Sequence, residues 1–230
     1  MNRTIERIET LFSGAAPYEE VLESYYQELV QAYGLDPAKN IAAFSLCPDE
    51  LNNPVMEKIR AIYGHAFALG GITGYPFTGE TGFNAFGDHI PDAGTAFIFY
   101  GPHMGIDNEK NGYLHRPGQQ RNTLSCGAAI GAYQQLLAAK GESPELHPDD
   151  YQQWRVKQMI LPHMDHISPV TPELNLIDIV MAESHCFVLR QANRIKALFK
   201  AEKIFLLGGV VLNTPPDLPD YIQVKHFDVV

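Results

Sequence analysis

A chain of 230 residues, 45% hydrophobic and 19% charged, can bury one sizeable core and has the balance of an ordinary globular protein. A formal net charge of -10 argues against nucleic acid and against an anionic membrane as partners, because phosphate binding needs a basic surface. No stretch approaches the roughly 20 apolar residues of a membrane span, and three cysteines are too few for a disulfide scaffold.

The start, Met1 to Glu9, lacks the apolar region of a secretory signal, so a cytoplasmic location is the expectation. Residues from about 2 to 12 and from 17 to 33 read as amphipathic helices. The second carries Tyr18, Val21, Leu22, Tyr25, Tyr26 and Leu29 at helical spacing. Ile41 to Leu46 is a short apolar run, a buried strand stopped by Pro48. Asn53-Pro54 then opens a helix to about Tyr63. Cys47 and Asp49 therefore sit at the carboxyl end of a strand, where open α/β sheets place ligands.

The glycine-dense run from Gly70 to Gly87 has neither a P-loop ending nor a dinucleotide fingerprint. It reads as backbone turning around a small pocket, with Phe77, Phe83 and Phe86 as apolar walls and His89 at its end. Thr95 to Tyr100 is a continuous apolar strand that breaks at Gly101-Pro102 and leads into His103. A polar excursion over Asp107 to Gln120 follows as a hairpin or loop. Ser125 is placed to cap a helix from Cys126 to about Lys140. Further helices are expected from Asp149-Asp150 to about Leu161 and from Thr171-Pro172 to about Lys200, the longest. Lys203 to Val211 is a strand, and Ile222 to Phe227 a last, alternating edge strand. The order is α/β, a mostly parallel central sheet flanked by helices. One domain is expected over 1–230, with a helical N-terminal segment at 1–40 and an α/β core at 41–230.

Cys47, His103 and Cys126 each fall at the end of a regular element. Together they form a Cys-His-Cys set of the kind that binds zinc with a fourth position open. A cysteine at a helix N-terminus has its thiolate stabilised there. The competing account is three small buried hydrophobes. Asp49 reads either as a group that orients zinc-bound water, as a ligand closing the site, or as a turn aspartate. Cys186 reads as core, His89 as a structural histidine, and His163 and His166 as surface histidines with no completing ligand.

The sequence resembles the limiting-CO2-inducible protein B/C family, or theta-type carbonic anhydrases. The residues that carry this are Gly70 to Gly79, Gly82 to Phe86 with His89-Ile90-Pro91-Asp92, Gly101 to Ile106, Ser125 to Ala129, and Leu206 to Asn213. The resemblance implies a β-carbonic-anhydrase-like fold, a homodimer, and zinc held by Cys47, His103 and Cys126. It implies interconversion of CO2 and bicarbonate by hydroxide generated at the zinc, with Asp49 catalytic. The arginine that β-type enzymes place two residues after the aspartate would fall at Leu51, so Arg116 and Arg121 are the candidate partners of Asp49. Glu80 and the missing local arginine favour an alternative, a catalytically silent zinc protein that binds a partner or senses inorganic carbon. A zinc deaminase is disfavoured, because neither H-x-E nor P-C-x-x-C occurs. A cysteine hydrolase with Cys126 as nucleophile and His103 as base is a further class.

Overall fold

In a computed structural model that describes residues 2–230, the elements run as follows. Helix α1 spans Arg3–Leu11, strand β1 Ala16–Pro17, helix α2 Tyr18–Gln31, strand β2 Asn40–Ser45, helix α3 Asn53–Tyr63 and strand β3 Ala66–Ala68. Helix α4 spans Gly79–Asp88, and strands β4 and β5 span Thr95–Tyr100 and His103–Gly105. A hairpin of β6 (Tyr113–Leu114) and β7 (Thr123–Leu124) precedes α5 (Gly127–Ala138) and α6 (Tyr151–Ile160). Helix α7 (Pro172–Phe199), β8 (Lys203–Asn213) and β9 (Tyr221–Val229) complete the chain. Met1, the start of the expected N-terminal segment, lies outside the described residues.

The main sheet runs β1-β9-β8-β4-β2-β3. The pairs β3–β2, β2–β4 and β4–β8 are parallel, while β9 is antiparallel to β8 and β1 antiparallel to β9. The mostly parallel sheet expected from the order of elements is therefore present. The expected edge strand is instead second from the edge, because the two residues of β1 pair alongside it.

Strand β4 shows why its sequence is apolar throughout. Phe97 and Phe99 face the core shared with α2 and α3, while Ala96, Ile98 and Tyr100 face the core under α4 and α7. Residues Val21, Leu22 and Leu29 of α2, with Leu35 after it, join the first of these cores, so α2 packs on the sheet itself. Helices α5 and α6 pack beside α7 in a third cluster.

Two departures from the sequence reading matter for the site. The glycine-dense run does not stay irregular but enters α4, and Phe83 and Phe86 are fully buried on that helix. His103, expected just past the end of a strand, itself opens β5, which pairs in parallel with the far end of β8, His103 opposite Val211. The chain steps from β4 to β5 through Gly101 at φ +150°, where a Cβ would stand 1.9 Å from the carbonyl oxygen of Gly209.

Candidate metal centre

Cys47 follows the end of β2, and its carbonyl accepts a hydrogen bond from the Nδ2 of fully buried Asn52 at 3.0 Å. Asp49 begins the short turn after it, with Oδ1 accepting from the Leu51 backbone N–H at 3.2 Å. Cys126 is itself the cap of α5; the cap expected at Ser125 sits one residue too early. The Ser125 hydroxyl instead lies 3.4 Å from His103 Nδ1.

These segments bring Cys47, His103 and Cys126 together. All three are buried, and their ligand atoms lie within 4.8 Å of one another, the only such group among the described residues. His103 Nδ1 is hydrogen-bonded to Asn213 Oδ1 at 2.7 Å. Its Nε2 is buried without any hydrogen-bond partner, which an ordinary core histidine would not tolerate. A bare imidazole nitrogen beside two sulfurs is what a soft or borderline cation such as zinc requires, so the residues present fit the group.

The protonation pattern points the same way. A hydrogen bond from Cys47 lowers the pKa of Cys126, with the backbone N–H groups of Ala129 and Ala128 at the start of α5 adding to it against burial. The same contact to Cys126, together with burial, pushes the Cys47 thiol up. Burial alone would lower His103, but the adjoining Cys47 sulfur, Asn213 and Asp49 raise it. The two sulfurs thus favour opposite protonation states, one thiol and one thiolate, in the space where a cation could sit.

Asp49 lies beside this cluster, its Oδ2 3.9 Å from His103 Nε2. Of the two candidate arginines the fold brings Arg116 to it. Arg116 Nη2 donates to Oδ1 at 3.1 Å and Oδ2 at 3.0 Å. The guanidinium is anchored in turn on Glu50 Oε1 at 2.6 Å, on the Leu124 carbonyl at 3.2 Å and on the Thr123 hydroxyl. Arg121 is exposed and takes no part. Burial would raise the Asp49 carboxyl, but His103, the hydrogen bonds from its neighbours and Arg116 hold it below its ordinary value.

The expected pocket residues are placed elsewhere. Phe83 and Phe86 fill the core between α4 and α7. Phe77 packs edge-on to Tyr75, with ring centroids 5.1 Å apart. His89 is exposed, with Nδ1 bonded to the Ala85 carbonyl at 2.7 Å and its ring tilted on Phe67. A glycine-rich sequence hid a helix, and helical spacing turned the Phe83 and Phe86 rings to the core. The cavity beside Cys126, of about 10 Å³, is walled by Met104, Ala129, Ile130 and Leu176. Cys186, expected in the core, is exposed on α7. Glu80 stands exposed in the first turn of α4. Asn213 was visible only as part of a motif, with no role attached.

The sequence matches the family described as limiting CO2-inducible proteins B/C, β-carbonic anhydrases, over residues 15–230. Among solved structures, a histidine-to-alanine mutant of PtLCIB4, a homologue of the limiting CO2-inducible protein LCIB, is similar with a TM-score of 0.91 and 28% identity. That likeness covers 99% of this chain and 94% of that one. A serine-to-arginine mutant of the same protein gives a TM-score of 0.81 and 30% identity, covering 97% and 93%. LCIB itself, at 16% identity and a TM-score of 0.71 over 97% and 93%, is alike in fold. Among curated proteins nothing matches.

Proposed function

The chain belongs to the family of limiting CO2-inducible proteins B/C, β-carbonic anhydrases, and on that premise we propose that it is a zinc carbonic anhydrase interconverting CO2 and bicarbonate. The observation that carries the reading is the bidentate Asp49–Arg116 pair standing beside the buried Cys47, His103 and Cys126.

Cys47, Cys126 and His103 Nε2 would hold the zinc. When bound, zinc supplies Lewis acidity and lowers the pKa of water to about 7, a magnitude for which carbonic anhydrase is the standard case. The remaining work falls to the protein. Arg116 occupies both oxygens of Asp49 and, with His103 and the neighbouring hydrogen bonds, favours the ionised carboxylate, so Asp49 would stay out of the ligand set and face the cluster as an acceptor. An acceptor there takes the O–H of the attacking water and aims its lone pair at CO2. The apolar wall of Met104, Ala129, Ile130 and Leu176 excludes bulk water from one side of the sulfurs.

A catalytically silent zinc protein of the same fold is the second reading. Its support is the narrowness of the cavity beside Cys126, about 10 Å³, room for about one water. The features that first favoured it weigh less in this fold, because Arg116 pairs with Asp49 and Glu80 lies on the surface of α4. As for partners, we propose a homodimer, to be checked by sedimentation; among the described residues no helix is long and apolar enough to cross a membrane.

Stopped-flow CO2 hydration on reduced, zinc-loaded protein is the deciding measurement. Hydration well above background that disappears in Cys47→Ala is expected. One bound zinc per chain without hydration would hand the site to the silent reading.

A further inference from the structure

The centre works only if the lone pair of His103 Nε2 faces the sulfurs. We propose that Asn213, oriented by the Leu51 carbonyl and by Asp220, is the positioning residue that fixes this tautomer. The inference rests on the metal reading above.

A neutral imidazole carries its proton on either nitrogen, and its partners decide which. The two ends of an asparagine amide are likewise told apart only by what they touch. Asn213 Nδ2 lies 3.1 Å from the Leu51 carbonyl oxygen, which can only accept. That contact makes this end the NH2 whatever the state of Asp220. The second contact of Nδ2 is Asp220 Oδ2, also at 3.1 Å. The oxygen end is thereby left for His103, 2.7 Å from Nδ1. An amide oxygen cannot donate, so Nδ1 must carry a proton, and in the neutral ring Nε2 is then bare. The Ser125 hydroxyl, 3.4 Å from Nδ1, lies on the protonated side as well.

The arrangement is built into the fold. Asn213 is the last residue of β8, fully buried, and pairs with Gly105 in the strand that His103 opens. Leu51 belongs to the turn that Asp49 starts, so one amide ties the segment carrying His103 to the segment carrying Asp49. Asp220 is held in place by the Thr214 backbone N–H, which donates to its Oδ1 at 2.9 Å. The Thr214 hydroxyl bonds the carbonyls of Leu218 and Pro219, closing the turn behind it. None of these residues touches the proposed substrate side. They act through His103.

The test combines zinc affinity, measured by competition with a chromophoric chelator, with heteronuclear NMR of the histidine ring nitrogens in the full chain. Asn213→Ala should bind zinc about 10–100-fold more weakly, and Asp220→Ala should show a smaller loss. Zinc-loaded wild type should show the metal on Nε2 of His103 and a proton on Nδ1. Wild-type zinc affinity in a folded Asn213→Ala, or a proton on Nε2 of the wild-type ring, overturns the proposal. Should Asn213→Ala fail to fold, the wild-type ring spectrum still decides. If the wild type takes up no zinc, the metal reading fails separately. The tautomer of neutral His103 in the metal-free protein then decides: a proton on Nδ1 supports the role of Asn213, and one on Nε2 ends it.

Discussion

Replacing Arg116 by alanine would strip Asp49 Oδ2 of its donor, leave Oδ1 only the Leu51 N–H, and leave a carboxylate only 16% exposed beside two sulfurs. Burial then pushes the Asp49 carboxyl upward with one opposing group fewer. The expected result is a loss of about 10–100-fold in CO2 hydration with zinc still bound. The acid limb of the pH profile should move to higher pH, because Asp49 now takes its proton sooner as pH falls. Arg116→Lys restores a charge but not the Nε and Nη1 bonds to Glu50, Thr123 and Leu124 that hold the guanidinium in place, so it should recover only part of the rate. Unchanged rates in Arg116→Ala would remove the pair from the chemistry. Sequence reasoning could reach this residue only as one of two candidates. Nothing in the spacing of Asp49 and Arg116 shows that the β6–β7 hairpin folds back over the end of β2, since hairpin placement is a tertiary event.

At the scale of elements, the step from β4 to β5 is the fragile joint. Gly101 holds a backbone angle that side chains rarely adopt, against the Gly209 carbonyl of the neighbouring strand. Gly101→Ala should cost about 3 kcal/mol, the upper end of overpacking penalties. That corresponds to a melting temperature lower by roughly 6–12 °C in calorimetry, and a loss of under a degree would refute the clash. The contact between α7 and β9 makes a different prediction. The rings of His185 and His226 stack at 3.8 Å and an interplanar angle of 7°. Burial first, then the neighbouring His185, depresses His226, against an opposing pull from Asp228. A depressed folded pKa means stability that is present above the unfolded value of about 6.5 and lost as pH falls through the folded value. His226→Phe keeps the stack and removes the titration, so its melting temperature should fall less than wild type between about pH 7.5 and about pH 5.5. Equal slopes would discount the pair.

These elements were unevenly legible. Strands such as Thr95–Tyr100 announce themselves because burial on both faces demands an unbroken apolar run. Helix α4 did not, because its glycines read as a loop. Gly87 is there for α7: a Cβ would meet the Phe199 ring at 2.5 Å. The cluster that could hold a metal was readable because Cys47, His103 and Cys126 all sit at element ends. Phe83 and Phe86 face the core rather than a pocket for the same reason that α4 was hidden.

For the molecule as a whole, the candidate ligands come from the end of β2, the start of β5 and the start of α5, with Asn213 at the end of β8 hydrogen-bonded to His103. A cation at their centre would join segments that otherwise only bring two sulfurs and an imidazole nitrogen close together. An ion bound only by the folded chain adds its binding free energy to folding. At free zinc about 1,000-fold above its dissociation constant the gain is about 4 kcal/mol, or roughly 8–16 °C in melting temperature for a chain of this size. Cys126→Ala should abolish the gain, and chelation should reverse it. Uptake must also release protons from the sulfurs, so zinc binding should weaken as pH falls. A cysteine hydrolase built on Cys126 and His103 would melt at the same temperature with zinc or with chelator. Calorimetry in the two buffers therefore separates a metal centre from a nucleophile before any substrate is tried.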